Sequence, residues 1–550
     1  MMSWRCLPAG DGAVLAELDS LEESLALFQT LGTWPAGVED VIPAARTVLV
    51  LFQPAVLSAR DVTAWLRRAI ESLDREGMPG VAADKPDAVV RRVEIPVHYM
   101  GEDLESVADL LGLSRAELIE RHTGTDYVGA FAGFAPGFVY LAGGDPCFHG
   151  VPRRQAPRVR VRASSVAIAG DFSAVYPADS PGGWQLLGET PWRMWDMSRP
   201  EPALIQPGFR VRFRDLDAPG TVYSLPERQS DPGPVPAGPS TDAVDAAAPT
   251  GSAACCEVRD AGLQTLFQDE GRPGLTHLGV SRSGALDRTA MARANRLVGN
   301  PAGLTVLEHA LGGLRLVCRG RAVVAVTGAL APVVVTSASG MRLPAAADHP
   351  VTLNDGDELR IGRVRAGVRC YVAVRGGWVV APVLGSCATD VLAGMGPAPV
   401  KKGDRIVIGQ PAAVLAAPEE AEPDAADLPD PGEPVFFDVI PGPRDDWFDA
   451  GSLDRLVSQD WIVTPQSNRV GMRLNGAEPL VRSRRGELPS EGVVAGSLQV
   501  PPSGQPVLFL ADHPLTGGYP VIAVVLHGQL DRLAQVPVGA RLRFRTVAIQ

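Results

Sequence analysis

Between Gly262 and Gly313 the sequence GLQTLFQDEGRPGLTHLGVSRSGALDRTAMARANRLVGNPAGLTVLEHALGG sets Asp269, Arg272, Asp287, Asn295, Asn300 and Glu308 among glycines and apolar residues. Carboxylates can move protons, a guanidinium can hold a carboxylate or phosphoryl oxygen, and amides can orient a polar ligand. A surface loop has no need of the apolar residues, and a plain core has no need of the carboxylates. The segment therefore reads as one wall of a site. Structural duties compete for the same residues. Asp269 and Arg272 lie three apart around a glycine and can form a local ion pair. Asp287 is a good N-cap for a helix over Arg288–Val298, with Gly299 as the residue that ends it. Asn295 borders the apolar face made by Ala290, Met291, Ala294, Leu297 and Val298, and it needs a partner either in the fold or in a ligand. Glu308-His309 is not HExxH, and GVSRSG at Gly279–Gly284 is not a GxSxG nucleophile elbow.

Glycine-rich turns recur elsewhere. Near the C-terminus, SNRVGMRLNG, LPSEGVVAGSLQVPPSGQP and LADHPLTGGYPVIAVV bring Ser490, Glu491, Gln499, Asp512 and Thr516 as donors and acceptors, with no nucleophile–base pair among them. The Thr516-Gly517-Gly518 turn offers backbone N–H groups to an anionic oxygen, or simply closes a tight hairpin. In the first half, DYVGAFAGFAPGFVYLAGG alternates glycine with Phe131, Phe134, Phe138 and Tyr140, and SPGGWQLLGETPWRMWD places Trp184, Trp192 and Trp195 close together. Such stretches suit a ligand-facing turn or a sharply bent barrel corner. Arg158, Arg160 and Arg162 line one face of a strand, as a solvated face or an anion site.

Composition removes several chemistries. Only Lys85, Lys401 and Lys402 are lysines, so there is no Walker A loop and no biotin-acceptor lysine, and any phosphate recognition falls to arginine or backbone N–H. The net charge of −12 argues against nucleic acid and anionic membranes as partners. Seven cysteines with no CxxC argue against a disulfide framework and a structural zinc site, and no metal site is expected. No membrane span or signal peptide is visible, which points to the cytoplasm.

The elements that must carry these residues divide the chain. Residues 1–87 read as a small α/β unit with a strand Thr47–Phe52, a helix Ser20–Leu31 and a second helix started by a Ser58/Asp61 capping box. Residues 88–226 begin with a strand Val89–Tyr99 and two short helices, one capped by Ser114 and Glu117. Residues 227–253, rich in Pro, Ala, Gly and Ser, read as a flexible linker. Residues 254–550 hold many short β-type runs whose turn spacing favours barrels or sandwiches. A possible internal junction lies near 411–433.

Two blocks of motifs carry a resemblance. YVGAFAGFAPGFVYL, YPADSPGGW and LLGETP resemble the KipI/allophanate-hydrolase-subunit-1 family, also known as the B-type subunit of 5-oxoprolinase. QDEGRPG, SGALDRTAMARAN, LEHALGG, SNRVGMRL, SEGVVAGSLQVPPSGQP and TGGYP resemble the KipA/subunit-2 family, the C-type subunit of 5-oxoprolinase. The chain thus looks like a fusion joined at 227–253. The resemblance implies a mainly β fold with α+β elements and a cyclophilin-like β-barrel domain in each half, related to the carboxyltransferase part of urea carboxylase. It implies an ATP-dependent (Mg-ATP) hydrolysis of 5-oxoproline to glutamate with a separate A-type subunit of the LamB/YcsF kind, without covalently bound biotin. Pairing of the B-type and C-type parts within the chain follows, and a homo-oligomer is compatible with it.

Family positions carried over residue by residue give His122, Gly133, Pro136, Gly137, Phe138, Tyr140, Pro181, Gly182, Gly183 and Trp184 in the first half. In the second they give Gln268, Asp269, Arg272, Gly284, Asp287, Asn295, Asn300, Glu308, Asn468, Arg469, Ser490, Glu491, Gln499, Asp512, Thr516 and Gly518. Asp269, Arg272, Glu308 and Asp512 are the expected catalytic group, Arg272 steadying oxygens and the carboxylates moving protons; His122, Gly137, Phe138, Tyr140, Trp184, Asp287, Asn295, Asn468, Arg469, Ser490, Glu491, Gln499, Thr516 and Gly518 are expected to bind substrate. Two alternatives stand beside this reading: a carboxyltransferase or allophanate-type enzyme of urea-derived substrates, and a KipI-like regulator that binds a histidine kinase.

Overall fold

The computed structural model describes residues 2–77, 91–154, 156, 158–218, 254–411, 428–429, 432–484 and 486–548. The expected linker at 227–253 and most of the expected junction at 411–433 lie outside the described residues.

The N-terminal unit is an antiparallel sheet in the order Trp4–Pro8, Ala13–Leu18, Thr47–Phe52, Val38–Pro43, with helices Leu21–Thr30 and Ala59–Glu76. Both helix starts follow from side-chain capping. Ser20 accepts from the N–H of Glu23, and Ser58 and Asp61 satisfy each other's backbone N–H at 3.2 and 3.4 Å. The strand TVLVLF is apolar at nearly every position, so both of its faces need cover. Val48, Val50 and Phe52 pack with Leu27, Leu66 and Ile70 of the helices. The other face, with Leu49, Leu15 and Ile42, packs on Val493, Val494, Phe509, Leu515, Val521 and Val524 from the end of the chain.

A seven-stranded sheet follows, in the order Gln185–Glu189, Ser165–Ala169, Phe172–Val175, Val139–Gly143, Tyr127–Ala132, Arg210–Asp215, Arg92–Val97. His98 and Glu189 exchange backbone hydrogen bonds of 2.8 and 2.9 Å, which joins the two edges and closes the barrel. Ile95, Leu141, Ile168, Leu187, Val211 and Phe213 fill it. The Arg158–Val161 strand lies outside on a two-stranded ribbon. Two of the three arginines are paired: Arg158 binds Asp103 at 2.8 Å and Glu102 at 3.0 Å, and Arg160 binds Asp179, while Arg162 lies past the end of the strand and is exposed.

In the second half, a six-stranded and a five-stranded sheet share a core that includes Leu307, Leu316, Val324, Ile361 and Val372. A closed barrel comes last, in the order Val435–Pro441, Val521–Val525, Ser497–Gln499, Val507–Phe509, Gly471–Gly476, Trp461–Val463, Arg541–Thr546. The first and last of these run parallel and close the ring around Phe437, Trp461, Leu498, Ile522 and Phe544. The fold is thus mainly β, with a barrel in each half. Among the described residues no helix is long and apolar enough to cross a membrane.

Candidate functional site

The residues singled out by sequence separate into an internal charge network, isolated core positions and a seam between the halves. The network contains most of the expected catalytic group. Gly271 has φ +85°, a left-handed turn with Arg282 carbonyl oxygen only 2.3 Å from where a Cβ would stand. This reversal parts Asp269 from Arg272, and the local ion pair does not form. Asp269 instead accepts from the N–H of Gly271 at 2.8 Å, the Ser386 hydroxyl at 2.6 Å and the Cys387 N–H at 2.6 Å. Arg272, 2% exposed, donates to the carbonyls of Val383 and Ala388 in the same loop.

Glu308 and Asp512 are held by Arg469, which is 1% exposed. Its Nε lies 3.0 Å from Asp512, its Nη1 binds Glu308, and its Nη2 donates to the Gly284 carbonyl at 2.6 Å. Asp512 also accepts from the Ser283 hydroxyl and the Val391 N–H. Glu308 accepts from the Leu286 N–H and Tyr371 hydroxyl. Burial alone would raise the Glu308 carboxyl; Arg469 and Arg369 outweigh it and hold it below the usual range. These acceptors are saturated, and none of Asp269, Arg272, Glu308 and Asp512 lines either cavity described below. Glu308 and Asp512 thus have internal partners on both oxygens, whereas Asp269 stays partly exposed and the Nη1 of Arg272 has no hydrogen-bond partner.

The helix at Arg288–Leu297 forms as expected. Asp287 caps it through the Ala290 N–H at 2.8 Å and takes the Gln535 side-chain amide at 2.7 Å. Burial, with Asp531 and Glu308 nearby, pushes its carboxyl up to about 7. Asn295 finds its partners in the fold: its amide donates to the carbonyls of Ala302 and Leu304, and its oxygen accepts from Asn300, which also binds the Val374 carbonyl. Replacing Asn295 by leucine strands those buried groups, and urea denaturation is expected to show a loss of at least about 2 kcal/mol. Asn468 is exposed and turns the chain through the Val470 N–H. His122 is a core residue, hydrogen-bonded to Tyr99 at 2.7 Å and Ser173 at 3.2 Å and stacked on Phe213. Burial pushes its pKa down to about 3, which keeps the ring neutral. His122, Asp287 and Asn295 thus each have partners within the fold.

The remaining residues meet at the seam. Phe138, Tyr140 and Trp184 form edge-to-face pairs with centroids 5.1 to 5.6 Å apart. From this cluster the Tyr140 hydroxyl reaches the Ser490 hydroxyl at 3.1 Å. Gly137 donates its N–H to the Leu278 carbonyl at 2.9 Å. At Gly133 an added Cβ would lie 2.3 Å from the Thr516 hydroxyl, and at Gly518 one would meet Arg153 at 2.7 Å. Glu491 pairs in a short ladder with Gly517, and Gln499 donates to the Tyr519 carbonyl at 3.1 Å. So Gly137, Phe138, Tyr140, Trp184, Ser490, Glu491, Gln499, Thr516 and Gly518 are brought into one region.

Three residues that the sequence did not single out complete it. Arg444 forks onto Glu491 at 2.7 and 2.8 Å and reaches Glu17 of the N-terminal sheet at 2.7 Å. Burial pushes the Glu491 carboxyl up to about 7; Arg444 offsets this only in part, and Glu17 and Asp446 add to it. Glu491 is 1% exposed, and its Oε1 accepts no hydrogen bond. It borders a cavity of about 360 Å³ shared by the N-terminal sheet and the last barrel, where Arg46 also lies. The one carboxylate in the apolar strand AVLAEL was the signal for Glu17. Nothing in PGPRDDW marks Arg444. A second cavity, of about 390 Å³, lies between the Gly10–Gly12 turn, the start of the Arg288 helix and the last barrel.

Comparison with known proteins agrees with this layout. Residues 278–546 match the family described as carboxyltransferase domain, subdomain A and B, and residues 4–205 match carboxyltransferase domain, subdomain C and D. The chain is 36% identical over 293 residues to the C-type subunit of 5-oxoprolinase from Escherichia coli (strain K12), covering 52% of this chain and 88% of that protein. It is 39% identical over 222 residues to the B-type subunit of 5-oxoprolinase from Escherichia coli O157:H7, covering 39% of this chain and 96% of that protein. Urea amidolyase of Lachancea kluyveri is 32% identical over 315 residues, which is 54% of this chain and 17% of that protein. The crystal structure of TTHA0988 superposes with a TM-score of 0.76 at 32% identity, covering 97% of this chain and 100% of that one. The chain belongs to the carboxyltransferase-domain family, and carries its B-type and C-type parts in a single polypeptide.

Proposed function

We propose that this protein is the fused B/C component of an ATP-dependent 5-oxoprolinase, acting in the cytoplasm with a separate A-type subunit to hydrolyse 5-oxo-L-proline to L-glutamate. The observation that carries the reading is the seam. The B-type and C-type parts meet there in buried contacts, and Glu491, an acid poised near neutral pH, borders a small polar cavity at that meeting. A carboxylic acid that holds its proton at neutral pH can donate to a carbonyl oxygen or a leaving nitrogen. Ser490 and Tyr140 fix the floor beside it.

The two cavities do not fit magnesium-ATP by themselves. Among the described residues no group of three carboxylate, histidine or cysteine side chains is placed to hold a metal ion. We therefore assign the nucleotide to the complex with the A-type subunit. The urea-amidolyase relative supports a second reading, an enzyme of urea-derived amides, through the same family domains.

The test is reconstitution. The purified chain mixed with the A-type subunit is expected to release glutamate from 5-oxo-L-proline only when ATP is present. Absence of release from a folded mixture, or turnover of urea-derived amides instead, would overturn the reading.

A further inference from the structure

We infer that the second cavity, of about 390 Å³, is a binding site for a small monocarboxylic acid with an apolar body, its carboxylate held by Arg288. Three parts of the chain build it: the Gly10–Gly12 turn and Leu51 of the N-terminal unit, the start of the Arg288–Leu297 helix, and the last barrel. It therefore exists only in the assembled molecule. No residue lines both this cavity and the one bordered by Glu491. Arg288 is half-buried on its wall. The backbone N–H of Arg288 donates to Asp531 at 2.9 Å, but its guanidinium has no hydrogen bond or ion pair with any described residue. Burial pushes its pKa down to about 10 and Arg282 adds to the fall, while Glu39 and Asp531 oppose it only in part. The charge is thus partly stripped of water and left without a counterion.

The other charges on the wall limit what can enter. Two arginines face the carboxylates of Asp11, Glu39 and Asp531. Each carboxylate is already engaged: Glu39 by Arg282 at 3.1 Å and by the Gln53 amide, Asp531 by the N–H groups of Arg288 and Thr289 and by the Thr289 hydroxyl, and Asp11 by the N–H of His527. An anionic oxygen finds unused donors at Arg288, whereas a second negative charge meets repulsion from these three acids. A phosphoryl group or a dicarboxylate is disfavoured on that count. A single carboxylate matches the planar fork of a guanidinium.

Much of the remaining wall is apolar, with Leu51, Leu286, Val494, Phe509 and Leu530. His513, stacked on Phe509, is pushed toward its neutral form by burial and adds a flat face. The volume lies near the lower end of the ~300–1,000 Å³ range of small-molecule sites, which suits a body of one ring or a short branched chain.

Calorimetric titration of the full chain would compare benzoate with benzamide, its uncharged counterpart, with terephthalate, which adds a carboxylate across the ring, and with 5-oxo-L-proline, whose ring is polar. Benzoate is expected to bind about tenfold or more tightly than any of the others. Arg288→Gln is expected to weaken benzoate by about tenfold and leave benzamide unchanged. Ala495→Leu, which enlarges a half-buried residue of the wall, is expected to weaken both. Because the guanidinium has no partner to lose, the unliganded Arg288→Gln variant is expected to melt no lower than the wild type, and benzoate is expected to raise the melting temperature of the wild type alone.

Equal affinity for benzoate and benzamide, no binding by the wild-type chain, a preference for terephthalate or 5-oxo-L-proline, or indifference of benzoate to Arg288→Gln would overturn the assignment. So would a lower melting temperature of the unliganded Arg288→Gln variant, since it would show that the fold itself already balances this charge.

Discussion

Replacement of Arg469 by methionine is expected to destabilise the second half by about 3 to 5 kcal/mol, at the upper end of what breaking a buried ion pair costs. The side chain neutralises two carboxylates at once. Glu308 belongs to a strand of the five-stranded sheet, and Asp512 follows a strand of the last barrel, so the guanidinium staples sheet to barrel. Without it, both acids remain 0 to 4% exposed; Glu308 keeps only Arg369, at 3.6 Å, and Asp512 keeps no ion pair among the described residues. Urea denaturation of the purified variant would measure the loss, and low soluble yield would accompany it, since a domain has only about 5 to 15 kcal/mol in all. Adding Glu308→Gln and Asp512→Asn is expected to restore much of it, because the neutral set has no stranded charge. A loss under about 1 kcal/mol would mean that water reaches these carboxylates.

The second large effect is pH-dependent. Arg444→Met removes the only cation bonded to Glu491 among the described residues and one of two cations on Glu17. The Glu491 carboxyl, already at about 7 in the wild type, rises further in the variant. A folded pKa above the unfolded value near 4.3 means that the acid favours folding in its protonated form. Its contribution is complete at low pH and is lost as pH climbs through the folded pKa. Wild type and variant therefore lose stability together up to about pH 7, and above it only the variant continues to fall. Glu17, held below its usual range partly by Arg444, shifts the gap in the same direction. Thermal melts are expected to show a gap that is modest at pH 6 and about 3 kcal/mol by pH 8 to 9. Glu491→Gln in the Arg444→Met background should remove most of the widening. A gap that is constant with pH would show that the ion pair is not what Arg444 contributes.

Local signals in the sequence carried furthest where the interaction itself is local. The caps at Ser20, Ser58, Ser114 and Asp287 bond backbone N–H groups three residues on, and each helix starts where its cap places it. The strands Thr47–Phe52, Val333–Thr336 and Arg541–Thr546 follow their β-branched and apolar runs. The same logic failed for Asp269 and Arg272, because one left-handed glycine sends neighbours in sequence to different partners in space.

His122 shows a different limit. The family resemblance alone pointed to it, but its helix also buries Leu118 one turn earlier, and the side chain points with it into the barrel. The seam was half legible. Tyr140, Ser490, Glu491 and Thr516 stood out as polar or aromatic groups among glycines. That the partners are Arg444 and Glu17 depends on a meeting of three chain segments far apart in sequence, which no spacing rule encodes.

The sheet of the N-terminal unit carries an apolar face that the last barrel covers. On the ribosome, Leu15, Ile42 and Leu49 emerge more than four hundred residues before Val493, Leu515 and Val524. Until the later segment is made that face has no complement, and it is a surface for chaperones or for association with other nascent chains. In relatives whose B-type and C-type parts are separate proteins, covering it requires an encounter between two molecules. Here covalent continuity replaces the encounter by loop closure, with an effective concentration on the order of millimolar that does not fall when the protein is dilute. The seam thus assembles in one-to-one stoichiometry in every molecule made.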